Sequence, residues 1–310
     1  MQLFVPVPIS CYDVLMRLGA FELNEPLPDL NEPHAFAILR PWIDVGNVGS
    51  LTLSHLESHF EAVELGKLVR PGNFFDFTRY RPTIYLNEDR RELAIPNATI
   101  LRANTAGKND FLFLRLLEPH MLAETYVDSV LKLFTRFGVK RYCLFGSMLD
   151  MVPYTRPFLI TGRGSNMMLR NKMEAANVWS SDYVGPTSIT MLISQKAAEM
   201  GIETISLIVH LPNYLTLDED FRGMTALVQA LAPFYDFPAA QEDLNKAKEQ
   251  ADSVSDTAEQ MMQQEPRYRD ILRHMEASYD SRVNRTKYQT KLTPELERLL
   301  QDLGRGFNPG

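Results

Sequence analysis

The chain has 310 residues, enough for one large domain or for one domain with an appendage. Its 45% hydrophobic and 23% charged content is that of an ordinary soluble globular protein. A net charge of −7 without a basic stripe argues against nucleic acid as the main partner, and no apolar run approaches the ~20 residues that a membrane-spanning helix needs.

At the start of the chain, Ile9-Ser10-Cys11 faintly resembles a lipoprotein cleavage site. No basic segment precedes it, and Pro6 and Pro8 interrupt an apolar stretch that is already short, so export is not expected and the cytoplasm is the expected location. The two cysteines, Cys11 and Cys143, fit buried reduced thiols better than a disulfide framework. The sequons at Asn97 and Asn284 then carry no meaning.

Residues 1–33 are rich in proline and acid and are expected to wrap the domain as a leader rather than enter its core. The first clear strand is His34–Arg40, stopped by Pro41-Trp42. The stretch Ile43-Asp44-Val45-Gly46-Asn47-Val48-Gly49-Ser50 then leads into a helix over about 51–60, the opening of an α/β unit. Residues 62–69 read as a second strand, 71–77 as a turn-rich connection, and 80–86 as a strand broken by Pro82. A charged hairpin turn is expected at 87–91, followed by apolar runs at Thr99–Ala103 and Phe111–Leu117. After Pro119, the residues Leu122, Tyr126, Val130, Leu133 and Phe137 recur at helical spacing, and Gly138 ends that helix.

The stretch 142–166 organises the chain. An apolar run at 142–145 and another at 158–161 flank Pro153-Tyr154-Thr155-Arg156-Pro157, whose prolines push Arg156 toward an extended conformation. A rigid polar connection between two buried strands is where such a domain carries a site. Further on, a helix is expected at 186–200, a nearly continuous apolar strand at 205–211 and a helix at 218–231. Strands alternating with helices through residue 232 predict a three-layer α/β/α domain over 1–240.

From Gln241 the composition turns to Gln, Glu, Asp, Lys and Ala. Leu244, Ala247, Ala251, Val254, Ala258 and Met261 step by three and four, a narrow seam of period 3.5 that signals coiled-coil-like packing. Pro266 is read as the first turn of a second helix, in which Tyr268, Leu272, Met275 and Tyr279 resume the stepping, and Thr293 as the cap of a last one. Residues 241–310 are thus expected to form a C-terminal helical appendage.

Several residues carry chemistry if they meet. Asp44 follows a strand at the edge where α/β folds place ligands, and its alternative role is a turn-capping carboxylate. Gly46 to Ser50, with Asn47 among them, offers backbone N–H groups to an anion, or else forms a tight turn with Ser50 as N-cap; the spacing matches neither nucleotide-binding glycine loop. Arg156 is suited to an anion or to an internal pair with Asp44 or Asp150. Tyr154 and Thr155 share its loop, and His210 at a strand end fits a pocket as well as a satisfied structural role. His55 and His59 have the spacing of a metal pair but lack a third ligand, so an ordinary helix surface is expected there, with no metal and no cofactor. Ser147 and Ser165 follow glycines outside any nucleophile elbow.

Four stretches taken together carry a family likeness. They are Pro41-Trp42-Ile43-Asp44-Val45-Gly46, then Asp76-Phe77 with Arg81-Pro82, then 152–157, and Val209-His210-Leu211-Pro212-Asn213-Tyr214 with Phe237-Pro238 downstream. In this order they resemble the PAC2 family of proteasome assembly chaperone 2-like proteins, in its longer bacterial form. The resemblance implies an α/β/α fold similar to that of phosphorylase/hydrolase-like proteins, self-association as a trimer, and, for eukaryotic and archaeal members, help in assembling proteasome rings. Tyr154 stands where similar proteins often have His, and the ending Phe307-Asn308-Pro309-Gly310 departs from the hydrophobic-Tyr-any ending of members that dock on proteasomes. The first expectation is a non-enzymatic, homo-oligomeric interaction or assembly protein with a partner surface on its helical tail. The second is an enzyme or binding protein for an anionic or nucleoside-type ligand, using Asp44, Arg156 and His210.

Overall fold

Strand β3 (His34–Arg40) lies at the centre of the protein, in a computed structural model that describes residues 15–87, 90–181, 183–215, 217–238, 240–265 and 267–289. Every residue of the run from His34 to Leu39 is buried, because helices cover both faces of the sheet. The alternation is visible along its length. Ala35, Ala37 and Leu39 face helices α2 (Ala123–Phe137) and α4 (Ile189–Glu199). Phe36 and Ile38 face α1 (Val48–His59), α3 (Met167–Ala175) and α5 (Phe221–Leu231) on the other side. This is the three-layer α/β/α arrangement.

The remaining strands are β1 (Leu15–Leu18), β2 (Phe21–Asn24), β4 (Val63–Leu68), β5 (Thr83–Asn87), β6 (Arg90–Ala94), β7 (Thr99–Ala103) and β8 (Phe111–Leu117). Beyond α2 come β9 (Arg141–Asp150), β10 (Leu159–Gly164), β11 (Val178–Ser180) and β12 (Glu203–Pro212). Nine of these and β3 form one mixed ten-stranded sheet in the order β1-β2-β4-β7-β8-β3-β9-β12-β10-β11. The centre is parallel: β3 pairs with β8 and β9, and β9 pairs with β12 over ten residues. The flanks are antiparallel except for the last pair, β10 with β11. The hairpin β5–β6 pairs only with itself and stands outside the main sheet.

Two helices complete the described chain, α6 (Gln241–Gln264) and α7 (Arg267–Gln289). Helix α6 packs on α5 and buries Ala247 and Val254, whereas Ala251 and Met261 of the same seam stay exposed. Pro266, Thr293 and Cys11 lie outside the described residues. Among those described, no helix is long and apolar enough to cross a membrane.

Within 15–33, the described part of residues 1–33, the structure corrects the reading of a mere leader. Strand β2 joins the sheet beside β4 and puts Phe21 and Leu23, both wholly buried, into the core. Helix α3 and strand β11 also occupy a region where the sequence pattern indicated no element. Helix α3 buries only Leu169 and Met173, too few for a visible helical period.

Candidate functional site

Because β3, β8, β9 and β12 run in parallel, their C-terminal ends share one edge of the sheet. Arg40 ends β3, Leu117 ends β8, Asp150 ends β9, and His210 sits two residues before the end of β12. After a turn, the segment that follows β3 rejoins β9 in a parallel bridge between Asp44 and Ser147. The Ser147 N–H donates to the Ile43 carbonyl at 2.9 Å, and its hydroxyl donates to the Val45 carbonyl at 2.5 Å. This close approach requires Gly146, since a Cβ there would come within 2.0 Å of the Ile43 carbonyl oxygen.

Asp44 is thereby placed beneath the start of α1. Its carboxylate accepts the Ser50 N–H at 3.0 Å and the Ser50 hydroxyl at 2.5 Å. Ser50 is therefore not the N-cap; it lies in the first turn and donates to the capping carboxylate, so that Asp44 stands in for the cap. Asn47, with a positive φ of 51°, occupies the boundary position and donates from its side chain to the Asp218 carbonyl at 2.8 Å.

The loop after β9 meets the tail. Arg156 donates to both carboxylate oxygens of Asp280 at 3.0 and 2.9 Å and to Glu276 at 3.1 Å. Its partners are on α7, which corrects the expected pairing with Asp44 or Asp150. Thr155 donates to Glu276 at 2.5 Å, Tyr279 donates to the Pro157 carbonyl at 2.8 Å, and the Tyr154 N–H donates to the Tyr214 hydroxyl at 2.9 Å. Asp150 accepts from Arg282 at 2.9 Å and lies 2.8 Å from His210 Nδ1. The hydrogen bond to His210 holds the Asp150 carboxyl well below the usual carboxylate range; burial opposes this, while Arg282 and the Met151 N–H reinforce it. His210 Nε2 lies 2.8 Å from the Thr161 hydroxyl. Asp150, His210 and Thr161 thus follow the carboxylate–imidazole–hydroxyl order of a hydrolytic triad. The cavity at the end of β3 is lined by neither Thr161 nor His210, and their chain of hydrogen bonds ties three strands and α7 together.

That cavity has a volume of about 650 Å³ and opens between the end of β3 and the root of the β5–β6 hairpin. Arg40, Asp44, Asn47, Tyr80, Arg81 and Ile95 are among the residues that line it. The six residues singled out in the sequence therefore divide into two groups. Asp44 and Asn47 line the cavity, whereas Tyr154, Thr155, Arg156 and His210 belong to the contact with the tail. Arg40 was not singled out and Arg81 entered only through the family likeness; Arg40 ends a strand and Arg81 precedes a proline, but nothing local in the sequence shows that they line one cavity. His55, expected on a plain helix surface, is instead half-buried, 3.0 Å from Asp243 and 2.8 Å from the Pro238 carbonyl at the start of α6. Among the described residues, no group of three or more His, Cys, Asp or Glu side chains is placed to hold a metal ion.

The sequence profile of the PAC2 family matches residues 38–259. The chain belongs to the PAC2 family. Solved structures related to this PAC2 chain share its fold at low identity. A Mycobacterium tuberculosis protein of unknown function superposes with a TM-score of 0.72 at 22% identity, covering 94% of this chain and 95% of the other. So wide a match extends into α6 and α7. A Mycobacterium tuberculosis proteasome-assembly chaperone homologue gives a TM-score of 0.65 at 19% identity, covering 72% of this chain and 94% of the other. PbaB, an archaeal proteasome activator from Pyrococcus furiosus, gives 0.61 at 15%, covering 76% and 97%. No curated protein matches the chain.

Proposed function

We propose that this PAC2-family chain is a non-enzymatic assembly or interaction protein of the cytoplasm that works as a homo-oligomer, a trimer in the simplest case. The β5–β6 hairpin carries this reading. It projects from the main sheet with Ile84 66%, Leu86 73% and Leu93 57% exposed, and such an apolar two-stranded arm is marginal in water on its own. Packing against a second copy of the chain would cover it. The tail offers a further surface for a protein partner, with Met261, Tyr268 and Ile271 exposed along α6 and α7. The likeness to a proteasome-assembly chaperone homologue and to a proteasome activator supports a role in assembly. So does the engagement of Asp44 and Arg156 with internal groups, which leaves them poorly placed for acid–base work.

Light scattering coupled to size exclusion tests the proposal. The expected result is a trimer at micromolar concentration, converted to monomer by Leu86→Asp with Leu93→Asp. Both side chains are exposed, so the thermal midpoint of the variant monomer should stay near that of the parent chain. A parent chain that runs as a monomer would overturn the oligomeric reading.

A further inference from the structure

The cavity at the end of β3 has no part in the assembly reading, yet its charges are unbalanced. Two guanidinium groups, Arg40 and Arg81, and one carboxylate, Asp44, are the charged side chains on its wall. The acids near Arg40 are already engaged. Both oxygens of Asp44 accept from Ser50, and Glu57 is ion-paired with Arg115. Arg40 itself is half-buried, its Nε is fully buried without a hydrogen-bond partner, and it makes no ion pair among the described residues. Arg81, exposed on the wall, also has no hydrogen bond or ion pair among the described residues.

A fully buried guanidinium nitrogen without a hydrogen-bond partner is a cost that a folded chain ordinarily avoids by pairing it. Burial and the neighbouring Arg115 lower the pKa of Arg40 from its ordinary value, with Asp44 and Glu57 acting in the opposite sense. The environment is therefore one in which a further anion is favoured. The chain as a whole carries −7, so a cavity of net positive charge is not a consequence of its composition.

We propose that this cavity binds a small organic oxyanion, a phosphate ester or a carboxylate, held between the guanidinium groups of Arg40 and Arg81. The planar forks of two arginines match the paired oxygens of either group. The volume of about 650 Å³ falls within the range for small-molecule sites, so the ligand is larger than a bare inorganic ion. Ile95, Leu117, Pro41 and the Tyr80 ring supply apolar wall for its organic part, and Thr83 and Thr99 supply hydroxyl groups. A ligand there would lie against the root of the β5–β6 arm.

Isothermal titration of the full chain at constant ionic strength tests this with three probes: inorganic phosphate, adenosine monophosphate and citrate. The expected result is saturable binding of at least one organic probe, tighter than that of inorganic phosphate. Preference for the nucleotide assigns a phosphate ester, and preference for citrate a carboxylate. Arg81→Gln, at an exposed position that the fold does not depend on, should weaken binding by roughly ten- to a hundredfold, and Arg40→Gln by at least as much. Binding by none of the probes at millimolar concentration would overturn the proposal. So would binding unchanged in Arg81→Gln.

Discussion

Arg156 Nε and Nη2 donate to the two carboxylate oxygens of Asp280 at 3.0 and 2.9 Å, a side-on fork that joins residues 124 apart in sequence. The proline-bounded loop that follows β9 is therefore the seat of the last described helix. Glu276 bridges Arg156 and Thr155 from one turn earlier, and Arg282, two residues beyond Asp280, reaches Asp150. Acids at 276 and 280 with a base at 282 place alternating charges against a loop that offers the complementary set. Tyr154 lies close enough to Glu259 and Glu276 for burial, and then those two acids, to raise its pKa.

Replacing Arg156 by Ala should free α7 while leaving the sheet domain nearly as stable as before. The ion pairs are partly open to water, with a third of the Arg156 side chain exposed, and such pairs add little to global stability. Locally the arginine has three hydrogen bonds that nothing else replaces. Limited proteolysis and amide exchange should show cleavage and loss of protection within 267–289 in the variant. Unchanged protection of α7 would mean that Tyr279 and Met275 hold it without the fork.

Where neighbouring residues decide an element, the sequence was readable. Strands Thr99–Ala103 and Phe111–Leu117 have the expected bounds, and α2 ends before Gly138, whose φ of 68° favours glycine. Strands β1 and β2 were hidden because four residues each, set among prolines and acids, give no pattern until β2 pairs with β4 and β1 with β2. Long-range partners were not legible at all. That Arg156 is near an acid follows from the cost of leaving it alone. That the acids are Glu276 and Asp280 depends on how the tail docks, and Arg40 and Arg81 come to line one cavity only through tertiary folding.

His34 gives a pH signature. It is buried, its Nδ1 is 2.9 Å from the Tyr235 hydroxyl, and burial, followed by the nearby Arg141, lowers its pKa from 6.5 to about 4. The folded value lies below the unfolded one, so the unfolded chain binds the proton first as pH falls. The contribution of this site is complete above pH 6.5 and is lost progressively between 6.5 and about 4. Denaturant midpoints measured across that window should fall with pH in the parent chain and fall less in His34→Gln. Equal slopes in the two proteins would remove His34 as the cause.

Deleting residues 241–310 should leave a cooperatively folded sheet domain. Every residue of the two core clusters precedes residue 240, and among the described residues of the tail only Ala247, Val254 and Met275 are buried apolar side chains. Removing that burial costs on the order of 5 kcal/mol, and the deletion also removes the bonds of Asp243 to His55 and of Gln250 to Phe221 and Glu219. The expected outcome is a lower denaturant midpoint with one sharp transition. A truncated chain that unfolds without a transition would place the tail within the core and move the domain boundary.

Asp44 separates the two roles that its position allows, the cap and the cavity wall. Asp44→Ala removes the acceptor for the Ser50 N–H and hydroxyl and should cost about 1–2 kcal/mol, the usual range for a lost helix cap. Asp44→Asn keeps an oxygen for the Ser50 N–H and turns an amide toward its hydroxyl, so most of that stability should remain. The same change removes the carboxylate on the cavity wall and leaves Arg40 and Arg81 unopposed. If an oxyanion binds between them, Asp44→Asn should tighten it by roughly three- to tenfold at low salt, and the gain should shrink as salt is raised. Titrating the better organic probe into the parent chain and both variants separates the effects. Stability should follow the acceptor and fall only in the alanine variant, whereas affinity should follow the charge and rise in both. An affinity that drops in Asp44→Asn would mean that the carboxylate itself contacts the ligand, and the two-arginine site would then be wrong as drawn.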